Sequence, residues 1–259
     1  MTSMDLTAIM LVVCVVSGVV LLLDTFILKP RRATGPDGPA AEAYVVGLAR
    51  TLFPVLLIVL VFRSFLFEPF RIPSASMMPG LVDGDFILVN KFNYGLRLPL
   101  INTKIVPTWS PQRGDVIVFR STSGPPINLI KRLVGLPGDH IVVRDNHVSI
   151  NGVPAALAPD GQYTGGYGFS GAALAKETFG HTDHLIMLAQ NRYAADFEGV
   201  VPAGHYFFMG DNRNDSEDSR FEQVGFVPDD HLVGHAIRIW MNWKIPGWPH
   251  LGRIGTPIR

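Results

Sequence analysis

The sequence predicts a mostly β protein: an antiparallel β domain with an inserted subdomain, preceded by two transmembrane helices. Three observations carry this. Two membrane-length apolar runs lie between Leu6 and Phe67. Beyond Glu68, short runs rich in Val, Ile and Phe alternate with Gly, Pro, Asn and Asp, as strands and turns do. No amphipathic helix of about 10–15 residues alternates with those strands, which argues against a parallel βαβ sheet.

The elements follow in order. Leu6–Leu23 carries no charged residue. As a helix it spans about 27 Å, close to the roughly 30 Å hydrocarbon core. Asp24 follows, and Thr25-Phe26-Ile27-Leu28 extends the helix to the interface. Residues 1–28 thus form a first transmembrane helix with a short outer N-terminus. No basic segment precedes the run and no small-x-small site follows it, so a retained helix fits better than a cleaved signal peptide. Residues 29–49 form a linker rich in Pro, Gly and Ala up to Tyr44, in which Asp37 and Glu42 oppose Lys29, Arg31 and Arg32. Excess Lys and Arg in a short loop marks the cytoplasmic side. Arg50 opens the second helix, residues 50–67, with Pro54 near its start and Arg63 near its far end, placed to snorkel to the headgroups. A buried core helix is the alternative for this run; its length and the basic loop before it favour the membrane. Two crossings then put both termini, and the 68–259 domain, outside the cytoplasm.

Within 68–259, Phe86–Val89, Asp115–Phe119, His140–Val143 and Val148–Ile150 read as strands. Asn151-Gly152 predicts a two-residue hairpin turn into Val153. Residues 155–201 are Gly/Ala-rich and weakly patterned, as an insertion between two strand-rich halves would be.

Composition narrows the function. The formal net charge is zero, which suggests no polyanionic partner and no nucleic acid. The apolar fraction is 47%, high for a soluble enzyme. The single cysteine, Cys14, lies in the first apolar run, where it can form no intramolecular disulfide and where its thiolate would be costly.

Three clusters carry chemistry. Pro73-Ser74-Ala75-Ser76-Met77-Met78-Pro79 follows the second helix closely. The prolines favour an extended or turn-like backbone. Such a backbone can present Ser76 in a groove, with its own amide and the Ser74 hydroxyl as two donors for an oxyanion. Ordinary loop serines match so short a motif as well. The second cluster is Leu129-Ile130-Lys131-Arg132-Leu133-Val134. Lys131 sits among apolar neighbours, with Arg132 on the opposite face of the strand. Most strand lysines are merely solvated. A lysine acts as a base only when neutral, and at its ordinary pKa about 0.04% is neutral at pH 7, a deficit of about 4.6 kcal/mol. Burial lowers a lysine pKa by up to about 3–5 units, enough to remove it. The third cluster runs from Gly210-Asp211-Asn212-Arg213 to Asp218-Ser219-Arg220. A calcium loop fails there, because Arg213 and Ser216 occupy positions that need a ligand and a glycine. A supporting network fits better: Ser216 bonded to the lysine amine, and Asp218 ion-paired with Arg220. No histidine lies in any of the three clusters. The combination reads as a serine–lysine hydrolase at a membrane surface.

Together the clusters resemble the bacterial type I signal peptidases. The resemblance rests on Ile-Pro-Ser-Ala-Ser-Met-Met-Pro (72–79), Lys-Phe-Asn-Tyr-Gly (91–95), Arg-Gly-Asp-Val-Ile-Val-Phe (113–119), Ile-Lys-Arg-Leu-Val-Gly-Leu-Pro-Gly-Asp (130–139) and Gly-Asp-Asn-Arg through Asp-Ser-Arg (210–220), in the family's order. It implies a membrane-anchored endopeptidase that removes signal peptides from secreted preproteins after small residues, without metal or cofactor. It implies Ser76 as nucleophile, Lys131 as general base, Ser74 as oxyanion donor, Ser216 as the residue orienting the lysine, and Asp218–Arg220 as a structural ion pair. Ile72, Pro73, Leu81, Leu129 and Ile130 are expected to line shallow substrate pockets, with the substrate added as a strand beside 72–74 and 129–130. The enzyme is expected at the bacterial plasma membrane, in contact with the bilayer, as a monomer.

Two departures stand out. Leu129 replaces a residue often aromatic in the family, and the polar loop reads Arg-Asn-Asp-Ser rather than Arg-Asp-Asn-Ser. The rival reading is a membrane-tethered binding or assembly protein that lost catalysis; the presence of both Ser76 and Lys131 argues against it. A self-cleaving repressor peptidase is opposed by the two membrane helices. His181-Thr182-Asp183-His184 has zinc-like spacing without a third ligand. Trp240, Trp243 and Trp248 suit either a core or an interfacial aromatic belt.

Overall fold

The computed structural model describes residues 3–32, 42–97, 104–106, 108–125, 127–179, 182–189, 195–244 and 246–259. Asp37 of the linker and His181 lie outside them. The chain divides into two compact units, a helical one over residues 1–66 and a β one over 67–259 apart from a short segment at 97–103.

The helical unit holds α1 (Ser3–Leu23), a π-helical turn (Asp24–Leu28), α2 (Lys29–Arg32) and α3 (Tyr44–Phe65). Thr7–Arg31 and Tyr44–Phe65 are each long and apolar enough to cross a membrane, with mean hydropathy 2.7 and 2.5. Their outer faces are apolar, with Val15, Phe26 and Ile58 exposed. A helix apolar all round needs a non-aqueous surround. The two helices meet on small side chains: Cys14 and Ser17 of α1 and Ala49 of α3 are buried. A Cβ at Gly18 would lie 3.1 Å from the Phe53 ring. The second helix begins at Tyr44, before the charge boundary at Arg50, because Tyr44–Ala49 carries no charge to break it. Arg50 stays within the helix and reaches Asp24 (3.4 Å) and Glu42 (2.9 Å).

The strands of the β unit are β1 (Phe67–Arg71), β2 (Asp85–Asn90), β3 (Leu96–Arg97), β4 (Lys104–Val106), β5 (Val116–Arg120) and β6 (Asn128–Gly135). Then come β7 (His140–Arg144), β8 (His147–Ile150), β9 (Val153–Pro154), β10 (Ala156–Gln162), β11 (Ala173–Phe179) and β12 (Thr182–Leu188). Last are β13 (Phe197–Val200), β14 (His205–Met209), β15 (Val227–Pro228) and β16 (Leu232–Asn242). A seven-stranded sheet runs β1-β2-β16-β5-β6-β14-β15, and its ladders are antiparallel. Phe67, assigned to the second helix from sequence, instead opens β1 opposite Asn90.

Strand β5 explains how the sheet sets up a site. Both its faces are buried, and its period of two sends alternate residues to different cores. Val116 and Val118 join Ile72, Met77, Ile87 and Ile239 in one. Ile117 and Phe119 join Leu133, Phe208 and Val227 in the other. The inserted region forms its own three-stranded sheet, β10-β11-β12, and β13 returns to pair with β7. The Asn151-Gly152 turn forms as expected between β8 and β9, with both residues at positive φ (52° and 79°). The three C-terminal tryptophans are not core residues: Trp240 is 42%, Trp243 39% and Trp248 91% exposed.

Candidate active site

The serine segment is fixed from both ends. Ile72 continues the β1 pairing, its N–H donating to the Asp85 carbonyl at 2.8 Å. Beyond it, Met77 and Met78 are buried. Their burial pins the turn that carries Ser76. The Ser76 carbonyl accepts the Asn212 backbone N–H at 3.1 Å, and the Ala75 carbonyl accepts the Asn212 side-chain amide at 3.2 Å.

Lys131 is delivered by β6, directly opposite Ile117 of β5, so it points toward the Ile117–Phe119 core. Its side chain is almost wholly out of water, and Nζ donates to Ser76 Oγ at 2.6 Å. Burial pulls the ammonium pKa down, Asp218 and Asp211 push it partly back, and it settles at about 8. Ser74 Oγ lies 3.4 Å from Ser76 Oγ. A lysine poised to lose its proton, hydrogen-bonded to a serine hydroxyl, is the arrangement that activates a nucleophile without histidine.

The polar loop supports this pair from below. Asp218 and Arg220 form a fully buried ion pair at 2.8 Å, and Asp218 also accepts the Gly210 N–H at 2.9 Å. A Cβ at Gly210 would lie 2.6 Å from the Ser76 carbonyl and would collide with Ser216. The loop can approach Ser76 because that position has no side chain. Ser216 is buried there, but its Oγ makes no hydrogen bond to Lys131 or to any other group among the described residues.

Ser74, Ser76, Lys131 and Leu129 line a cleft of about 470 Å³, with Ile127 and Glu217 on its walls. Of the expected pocket residues, Leu129 faces this cleft and Pro73 is exposed beside it. Ile72 and Leu81 are instead core residues, each 2% exposed, and Ile130 packs against them.

Sequence reasoning missed three partners. Arg132 forks onto Asp211 at 2.7 and 2.6 Å. Asn212 clamps the serine segment. Arg213 pairs with Glu177 of β11. The basic members were visible in the motifs; Glu177 stood in a stretch with no recognisable pattern. His184 is buried with its ring 5.2 Å from that of Phe179, and its Nε2 lies 3.1 Å from Glu177.

The family model described as signal peptidase, peptidase S26, matches residues 45–241. The chain is 42% identical to signal peptidase I of Pseudomonas aeruginosa and 44% identical to that of Pseudomonas fluorescens, each alignment covering 98% of this chain and 99% of the relative. A crystal structure of a signal peptidase I from Enterococcus faecalis is 30% identical, covering 49% of this chain and 96% of that one, with a TM-score of 0.32. A family match over most of the chain and near-full-length identity above 40% lead to one conclusion: the chain belongs to the peptidase S26 family of signal peptidases.

Proposed function

We propose that this signal-peptide endopeptidase cleaves by attack of Ser76 Oγ on the scissile carbonyl, with neutral Lys131 as general base. One observation carries the assignment: the 2.6 Å contact between Lys131 Nζ and Ser76 Oγ at a buried lysine whose pKa is lowered to about 8. Lys131 takes the hydroxyl proton and returns it to the leaving amine. The same base then activates the water that clears the acyl ester. The developing oxyanion is met by the Ser76 N–H and the Ser74 hydroxyl. Asp218–Arg220 and Ser216 shape the floor of the site. An extended segment of a preprotein binds along the 72–74 backbone and the 129–130 edge. Leu129 helps restrict the pocket to small side chains. The two apolar helices anchor the enzyme, with the Lys29–Tyr44 loop cytoplasmic and the β unit on the outer side.

Ser76→Ala tests the nucleophile in a preprotein cleavage assay in detergent or lipid. It is expected to abolish turnover while the thermal unfolding transition stays within a few degrees of wild type, because only the attacking oxygen is lost. Residual turnover above a few per cent of wild type would assign the nucleophile elsewhere.

A further inference from the structure

Arg213, Glu177 and His184 form a buried charged cluster that the Ser76–Lys131 chemistry leaves unused. Arg213 Nη1 donates to Glu177 Oε1 at 2.8 Å and Nη2 to Oε2, and His184 Nε2 lies 3.1 Å from Oε2. The Arg213 and Glu177 side chains are each 1% exposed. Such a pair is weak evidence for stability, since apolar residues of similar volume often pack as well or better. What a bidentate fork supplies is a single geometry.

That geometry leads to the nucleophile. Glu177 sits on β11 and His184 on β12, both in the inserted sheet. The edge of β12 grips the polar loop through its backbone: Met187 N–H donates to the Asp211 carbonyl at 2.8 Å, and Arg213 N–H to the Met187 carbonyl at 3.0 Å. Asn212, between them, is fully buried. Its two N–H groups hold the Ser76 and Ala75 carbonyls at 3.1 and 3.2 Å. Arg213 Nη1 also donates to the Asn146 carbonyl at 3.2 Å, and Asn146 Oδ1 accepts from Arg220 at 3.1 Å, so the far side of the loop is tied down as well.

We propose that the inserted β11–β12 hairpin is a positioning device for the nucleophile. Glu177, through Arg213, locks the Asp211–Arg213 turn, and Asn212 then holds the Ser76 peptide in place. The inference rests on Ser76 being the nucleophile. The Ala75–Ser76 peptide, held at its carbonyl by the Asn212 side-chain amide, carries the N–H proposed to face the oxyanion. A misplacement of about 1 Å at a reacting group costs on the order of 100-fold in rate. Arg213 and Glu177 hydrogen-bond to Asn146 and to each other rather than to 72–74 or 129–130, the segments proposed to pair with the substrate, so the effect belongs in kcat.

The test uses the full chain and a preprotein substrate, with rates expressed per folded molecule from the unfolding curve. The first variant is Glu177→Met/Arg213→Met, which removes both charges together and avoids leaving one stranded. Its kcat should fall about tenfold or more with KM within about twofold. Ser74→Ala should also cost clearly less in this background than in wild type, since a displaced Ser76 peptide no longer shares the oxyanion with it. A merely structural hairpin would lower the folded fraction and leave kcat per folded molecule, and the cost of Ser74→Ala, unchanged; that result overturns the proposal. Asn212→Ala is the second variant. It should lower kcat in the same way, and a wild-type kcat there overturns the proposal by itself. Ser76→Ala separates the two questions. Turnover surviving in it overturns the nucleophile assignment, whereas a dead Ser76→Ala beside fully active positioning variants overturns the hairpin's role alone.

Discussion

Lys131 shows most directly how the chain trades stability for chemistry. Its pKa, depressed from 10.5 to about 8, means that its burial disfavours the charged form. For a group whose folded pKa is depressed, the stabilising contribution is present above the unfolded pKa and lost as pH falls through the folded one. At pH 7, then, Lys131 is mostly charged and the fold bears a cost of about 3 kcal/mol at that position. Lys131→Met, of similar volume and uncharged, should abolish cleavage and raise thermal stability at pH 7, with the gain shrinking as pH approaches 10. Thermal unfolding across that range measures it, and a destabilised variant at pH 7 would contradict the burial argument. Lys131→Arg should be as inactive as Lys131→Ala, because arginine stays protonated. The wild-type rate should rise with pH through about 8, as the neutral fraction grows. Glu217, on the cleft wall, raises the Lys131 pKa. Glu217→Gln should therefore move the rising limb of the pH–rate profile to lower pH, and an unmoved limb would show that Glu217 does not act on the lysine.

Elements were legible in the sequence to the extent that their signals were local. The two apolar runs, the strands at 86–89, 140–143 and 148–150, and the Asn151-Gly152 turn all lie where pattern and turn chemistry put them. The Ser76–Lys131 pair was legible too, because each residue sits in a distinctive motif; its 2.6 Å contact was not, because it depends on the β5–β6 register. The helix boundary at Arg50 misled, since a single arginine at an interfacial position does not end a helix whose preceding residues are apolar. Strand β10 was hidden because it has scarcely any buried face to impose a period. In β11 the alternate buried positions are Ala175, Glu177 and Phe179, so a carboxylate interrupts the apolar pattern, and its partner Arg213 is distant in sequence. The cluster they form predicts acid sensitivity. Burial pushes the Glu177 carboxyl up, but Arg213 and His184 outweigh it and hold the pKa at about 2; burial lowers that of His184. Both folded values lie below the unfolded ones, so the stability they contribute is present at neutral pH and is lost as pH falls, first through His184 and then, below about 4.5, through Glu177. Glu177→Met/Arg213→Met should flatten the lower part of that decline in thermal unfolding measured from pH 7 to pH 3. An unchanged slope would show that the pair does not titrate with folding.

For the whole molecule, the two units pose a question of placement that neither answers by itself. Ser76 follows Phe65, the last residue of the second helix, by eleven residues, so even a fully extended tether keeps the serine within about 40 Å of that helix end. A protease added outside spheroplasts should reach the β unit and spare the Lys29–Tyr44 loop, since excess Lys and Arg favours the cytoplasmic side; cleavage within the loop from outside would invert the proposed topology. A second membrane contact is expected at the C-terminal tryptophans. Trp240 packs edge-on against Phe86, while the apolar side chains of Trp248, Leu251 and Ile254 are at least half exposed. Tryptophan is favoured at the headgroup level, where its ring is buried and its N–H stays wet. The β unit expressed from Phe67, without either helix, should accordingly bind anionic or zwitterionic vesicles, shift its tryptophan fluorescence to the blue on binding, and need lipid or detergent for full turnover. Trp248→Ser should remove most of the spectral shift, because that ring is 91% exposed and contributes little to the fold. A β unit that is fully active without lipid, with fluorescence indifferent to vesicles, would leave α1 and α3 as the enzyme's whole hold on the membrane.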